Sequence, residues 1–227
     1  MNKYISVAID GPAGAGKSTM AKRVAKDMGY VYVDTGAIYR TIGYYVNMCG
    51  IGAKDVDGVT RLIDDVNIEI AYADDGQQRM ILNGKDVSDE LRTPLMSDYA
   101  SKISAMKVVR DYLLDVQRNL AKKHNVIMDG RDIGTVVLPN ADVKIFLTAS
   151  VEVRAQRRLD ELLIRGEKNV TFQSILADMK ERDDRDMNRP VAPLKQAEDA
   201  VLLDTSELSI EESVAAIKNI IEEKLQA

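Results

Sequence analysis

Residues 11–18 read Gly-Pro-Ala-Gly-Ala-Gly-Lys-Ser and follow directly on the apolar run Tyr4-Ile5-Ser6-Val7-Ala8-Ile9. A loop of this composition after a strand limits the chain to few folds, because it functions only between a strand and a helix. Glycine at 11, 14 and 16 frees the backbone for a tight, partly left-handed path, and successive N–H groups can then turn inward around phosphate oxygens. A helix opening near Lys17 aims its positive end at the same point. The pattern therefore predicts a site for a nucleoside triphosphate built from Gly11, Pro12, Ala13, Gly14, Ala15, Gly16, Lys17, Ser18 and Thr19. Lys17 would reach the β- and γ-phosphates, and the Ser18 hydroxyl would help hold Mg2+.

Four further strand-like runs fall at residues 30–33, 125–129, 143–148 and 201–204. Helical patterns over 17–28, 37–48, 108–123, 151–163 and 210–225 separate most of them. Short strands spaced by helices predict βαβ units, a parallel sheet and an α/β fold. Ligands in such sheets sit beyond the carboxyl ends of the strands, which directs attention to the loops after residues 9, 33, 129 and 204. Ser209 and Glu212 have the spacing of a capping box for the last helix. Residues 66–92 break the alternation. Their period-two patterning around Asp74-Asp75-Gly76 predicts an antiparallel hairpin inserted into the α/β core. Arg165-Gly166-Glu167-Lys168-Asn169 reads as an exposed turn between helices, well placed to move.

At 227 residues the chain accommodates one large domain or two small ones. No apolar stretch approaches the roughly 20 residues that span a bilayer. Met1-Asn2-Lys3-Tyr4 runs straight into the first strand, so no signal peptide is expected. Cys49 is the only cysteine, which excludes an internal disulfide and a thiolate metal cluster and points to the cytoplasm. The net charge of −5 speaks against a bulk attraction to nucleic acid or to an anionic membrane. Seven arginines nevertheless crowd the stretch from Arg154 to Arg189, mixed with carboxylates. Such a mixture suits a small polyanion in a defined pocket, although a solvated helix face has a similar composition.

A phosphate-binding loop alone does not separate kinases from GTPases or other ATPases. Three other segments narrow the choice: Asp34-Thr35-Gly36-Ala37-Ile38-Tyr39-Arg40, Asp129-Gly130-Arg131-Asp132-Ile133-Gly134-Thr135-Val136-Val137, and Arg182-Asp183-x-x-Asp186-x-x-Arg189. Each sets arginine beside carboxylate or hydroxyl near the loop. Together they resemble the bacterial cytidylate kinases, and the resemblance extends over essentially the whole chain, including the hairpin insertion. It implies a nucleoside monophosphate kinase fold of three layers, with a five-stranded parallel sheet flanked by helices, a small antiparallel β insertion and a mobile helical lid. Residues 1–227 would form one domain: a core of 1–35, 124–153 and 190–227, a monophosphate-binding lobe of 36–123, and a lid of 154–189. The implied activity is transfer of the γ-phosphoryl group from ATP to CMP or dCMP. The partners would be small nucleotides acting on a monomer.

The chemistry agrees with that implication. The transition state carries its charge on equatorial oxygens, and the acceptor is already an oxyanion, so cations in fixed geometry matter more than a general base. By resemblance, Arg40, Arg131 and Arg189 would hold the CMP phosphate, while Arg157, Arg158 and Arg185 are lid candidates for ATP and the group in transfer. Cytosine offers an amino donor at N4 and an acceptor at N3, which Asp132 and Arg110 would complement, with Ser101 as a supplementary hydroxyl. Arg182 and Asp186 would take the ribose hydroxyls, and Thr35 lies on the same substrate side. Asp34 and Asp129 could orient waters around Mg2+.

Simpler accounts exist for several of these residues. Arg110 could flank the core, the 181–189 segment could be an exposed helix face with a Glu181–Arg185 pair, and Asp34 with Thr35 could only cap a helix. Cys49 is expected to be packed, and His124 to be an exposed turn residue. Kinases acting on UMP, AMP or shikimate are the nearest alternative functions. A nucleotide-hydrolysing switch is the other class, but the guanine-reading Asn-Lys-x-Asp element is absent.

Overall fold

The computed structural model describes residues 4–167 and 169–226. In chain order the strands are β1 (Ser6–Asp10), β2 (Val31–Asp34), β3 (Ile68–Tyr72), β4 (Gln78–Leu82), β5 (Lys85–Asp86), β6 (Val126–Gly130), β7 (Val143–Thr148) and β8 (Val201–Asp204). The helices are α1 (Lys17–Met28), α2 (Thr35–Met48), α3 (Val56–Leu62), α4 (Pro94–Ile103), α5 (Lys107–Ala121), α6 (Val151–Ile164), α7 (Phe172–Asn188) and α8 (Ile210–Gln226). Five strands form a parallel sheet in the order β2-β6-β1-β7-β8, and β3-β4-β5 form a separate antiparallel sheet.

Alternation along β1 divides the interior. Ala8 faces a core shared by α2, α4, α5 and the small sheet, whereas Val7 and Ile9 face a second core with α1 and α8. A third, smaller cluster of Ala155, Ile175 and Met179 joins α6 to α7. The expected helices and strands are present, with small shifts. α2 starts at Thr35, two residues before the apolar pattern, because the Asp34 carboxylate accepts the Ala37 N–H and caps it. The Ser209–Glu212 capping box forms at the start of α8. The predicted turn after α6 has Gly166 at φ +85°; Lys168 within it lies outside the described residues.

Two helices were not anticipated, α3 and α4, while α7 was expected only as an unbounded helix beyond the 165–169 turn. The inserted hairpin is also larger than expected, with β5 added as a third strand. Cys49 is exposed at the end of α2 instead of packed. His124 is exposed, as expected. Among the described residues, no helix is long and apolar enough to cross a membrane.

Candidate active site

β1 ends in the centre of the sheet, and the chain turns there into α1. Gly11 is irreplaceable in this turn: a Cβ would lie 1.9 Å from the Leu147 carbonyl oxygen, at a φ of +148°. Gly16, also left-handed, precedes the first turn of α1. Lys17 is buried and donates its Nζ to the Pro12 carbonyl oxygen at 2.6 Å, folding the side chain back over the loop. Burial and the nearby Arg131 hold its ammonium well below the ordinary lysine range.

Carboxylates line the floor. Ser18 Oγ donates to Asp129 Oδ2 at 2.7 Å, Tyr32 OH donates to Asp129 Oδ1 at 3.1 Å, and Thr35 Oγ1 donates to the Asp129 carbonyl at 2.7 Å. Burial, reinforced by Asp34, pushes the Asp129 carboxyl up to about 6. Asp10, at the end of β1, accepts the Ile133 and Gly134 N–H groups at 2.7 Å each, and burial likewise pushes it up to about 6. These N–H groups open one turn of π-helix, Ile133–Val137. Arg118 of α5 holds the other end by donating to the Val136 and Val137 carbonyls at 3.0 and 2.9 Å. Asp132 immediately precedes the turn.

Asp132 is buried between two guanidinium groups. It pairs with Arg110 Nη2 through Oδ2, and with Arg189 Nη2 at 3.2 Å through Oδ1. Burial pushes its carboxyl up against the pull of both arginines. Arg110 also donates to the Ser104 carbonyl at 3.1 Å and lies 5.7 Å over the Tyr39 ring, so it does more than flank a core. Arg189 donates to Ser104 Oγ, and Arg185 to Ser101 Oγ, both at 3.2 Å.

A second cation group stands between this cluster and Lys17. Arg40 pairs with Asp34 at 2.9 Å and Arg131 with Asp186 at 3.0 Å. Burial tends to raise the Asp186 carboxyl, but Arg131 and Arg182 outweigh it and hold it below its usual value. Arg182 is brought down to about 10 by burial and by repulsion from Arg131, Arg40 and Arg185, which Asp186 only partly offsets. The Nε atoms of Arg40 and Arg182 are buried with no hydrogen-bond partner among the described residues.

The whole chain except its ends has a family counterpart. The family model described as cytidylate kinase matches residues 7–223. The cytidylate kinase of Carboxydothermus hydrogenoformans is 47% identical over 218 residues, covering 96% of this chain and 97% of its own length. The chain belongs to the cytidylate kinase family. A second family member, from Caldicellulosiruptor saccharolyticus, is 49% identical over 210 residues, 92% of each chain. An uncharacterized protein from Eubacterium ventriosum, 12% identical, has a solved structure with TM-score 0.53 over 96% of this chain and 98% of its own, a likeness of fold.

In this cytidylate kinase family member the structure thus brings together Lys17, Ser18, Asp34, Thr35, Arg40, Asp129, Arg131, Arg182 and Asp186, and beside them Ser101, Arg110, Asp132, Arg185 and Arg189. Arg157 and Arg158 are engaged elsewhere. Arg157 donates to the Thr205 carbonyl beyond β8 at 2.7 Å, and Arg158 pairs with Glu161 on its own helix. The Glu181–Arg185 pair also forms, yet Arg185 still reaches Ser101.

Sequence reasoning missed Arg154. It is buried and donates to the Ala149 carbonyl, to the Ala13 carbonyl of the phosphate loop, and to Asp183 of α7 at 2.6 Å. It appeared only as one of seven arginines. Asp10 and Arg118 were missed as well. An acid ending a strand beside a glycine loop was the one readable signal among them.

Proposed function

We propose that this chain transfers the γ-phosphoryl group of ATP to CMP and dCMP, releasing ADP and the pyrimidine diphosphate. The observation that carries the proposal is the crowd of mutually repelling cations around Arg182, adjoining a buried Asp132–Arg110 pair. In the first, Asp34 and Asp186 offset the cations only in part, and the second matches the edge of cytosine. Arg40, Arg131 and Arg189 would receive the acceptor phosphate, with Arg182 and Asp186 at the ribose hydroxyls. Asp132 would accept from the cytosine N4 amino group while Arg110 donates to N3. Ser101 and Ser104 supply hydroxyls that hold Arg185 and Arg189 in register.

The donor nucleotide belongs on the loop of Gly11–Thr19. Gly11 lets the loop turn tightly against the Leu147 carbonyl, and Lys17 needs only to swing from the Pro12 carbonyl to meet phosphate. The Ser18 hydroxyl, backed by Asp129 at 2.7 Å, is a hard oxygen donor suited to Mg2+. When bound, that ion neutralises charge on the phosphates. We read residues 154–189 as a lid over both nucleotides and residues 36–123 as the acceptor lobe. Arg154 anchors the base of the lid to the phosphate loop.

A coupled ADP-release assay with ATP, Mg2+ and a panel of CMP, dCMP, UMP and AMP tests the proposal. CMP and dCMP should turn over well ahead of UMP and AMP. Equal use of all four, or ATP turnover indifferent to every acceptor, would overturn it.

A further inference from the structure

β2 is the outer strand of the parallel sheet, paired with β6 on one side only. An outer strand leaves the N–H and C=O groups of alternate residues facing outward and unpaired. In this chain the inserted hairpin covers that edge with side chains in place of a strand. The Gln78 amide accepts the Asp34 N–H at 2.8 Å and donates to the Asp34 carbonyl at 3.2 Å, the two bonds that a neighbouring backbone would have made. Two residues earlier on the same edge, the Tyr32 carbonyl accepts from Tyr72 OH at 3.1 Å. Tyr72 and Gln78 are themselves opposite each other across the β3–β4 ladder. One end of the hairpin therefore grips β2 at two successive outward positions.

The gripped residue controls the acceptor side. The Asp34 side chain caps α2 through Ala37 N–H at 2.8 Å and holds Arg40 at 2.9 Å. Thr35, next in sequence, donates to the Asp129 carbonyl. A Cβ at Gly36 would lie 3.0 Å from Arg40 Nη1 and 3.1 Å from Asp34 Oδ1, so this segment has little slack. We propose that Gln78, assisted by Tyr72, is a positioning residue for the acceptor phosphate. Its amide fixes Asp34, Asp34 fixes Arg40, and the hairpin thereby sets affinity for the nucleoside monophosphate. This inference rests on the proposed function, and it gives the insertion a task in that site.

The test is steady-state kinetics of wild type, Gln78→Met, Gln78→Glu and Tyr72→Phe, each titrated with CMP at saturating ATP and with ATP at saturating CMP. Gln78→Met keeps the length and removes both bonds. It should raise KM for CMP roughly tenfold, in line with the loss of one or two net hydrogen bonds, while KM for ATP stays within about twofold. Gln78→Glu retains the acceptor for the Asp34 N–H but sets a charge beside Asp34, and should not restore wild-type KM. Tyr72→Phe, at an exposed position, should shift KM for CMP in the same direction by less, and it carries the test if Gln78→Met fails to fold. In an Arg40→Met background the effect of Gln78→Met should largely vanish, because the amide acts through Arg40. Unchanged KM for CMP, equal rises for both nucleotides, or full additivity with Arg40→Met would overturn the inference. A wild type that ignores CMP would instead overturn the proposed function.

Discussion

A guanidinium stays charged in proteins, so burying several together builds repulsion that only an anion relieves. Arg182 sits in that position, with Arg131, Arg40 and Arg185 around it and its Nε unpartnered among the described residues. Arg182→Met should therefore raise the melting temperature of the ligand-free protein while sharply weakening CMP binding, measurable by scanning calorimetry and titration on one sample. In the proposed site Asp132 is the residue that would choose the base. Asp132→Asn replaces an acceptor with an amide whose NH2 suits the uracil O4, so the CMP-to-UMP ratio of kcat/KM should fall by about 100-fold. Asp10 governs a pH dependence. Its carboxyl rises from 3.8 unfolded to about 6 folded, so the fold prefers the protonated form. The resulting stabilisation is full below pH 4 and is lost as pH rises through about 6. Urea unfolding at pH 5 and pH 7 should show wild type gaining on Asp10→Asn at the lower pH.

At the level of elements, Arg154 links α6 and α7 to the phosphate loop. It ties the Ala13 carbonyl to Asp183, whose Oδ1 has no partner among the described residues. Removing the cation strands a buried carboxylate, so Arg154→Met should cost about 3–5 kcal/mol, and adding Asp183→Leu should recover much of it. Denaturant midpoints of the two variants measure both effects. Elements with strong apolar periodicity were legible in the sequence: the strands, α1, α2, α5, α6, α8 and the hairpin. α7 was legible as a helix but not in its bounds, because its buried face is only Ile175, Met179 and the carboxylates Asp183 and Asp186, and a buried acid has no hydrophobic signature. α4 carried a signal that was passed over, Thr93 as cap and Pro94 at the first helical position. The π-turn was hidden for another reason: Asp10 and Arg118 supply its hydrogen bonds from distant segments.

For the whole molecule, the two sides of the site come from different layers: the phosphate loop from β1 and α1, the acceptor cations from α2, the loop after β6 and α7. The loop could be read from eight consecutive residues. The Asp132–Arg110 pair came only from the family resemblance, and the contact of Arg189 with Asp132 was not expected, since three residues far apart in sequence leave no local pattern. Drawing α6 and α7 over both nucleotides would exclude water from the phosphates. ATP hydrolysis without an acceptor should accordingly run at least about 100-fold below transfer to CMP, as read by phosphate release against CDP formation.

The strand order carries a consequence for biosynthesis. β1 leaves the ribosome first, yet its neighbours are β6 and β7, in register Ser6 with Val126 and Val7 with Val143. β2, the next strand made, never touches it. The nascent chain must hold Ser6–Asp10 uncommitted until β6, ending at Gly130, has emerged, and closing so long a loop slows the step. The apolar Val7-Ala8-Ile9 segment is thus the part of this protein with the longest exposure to chaperones and to aggregation during translation.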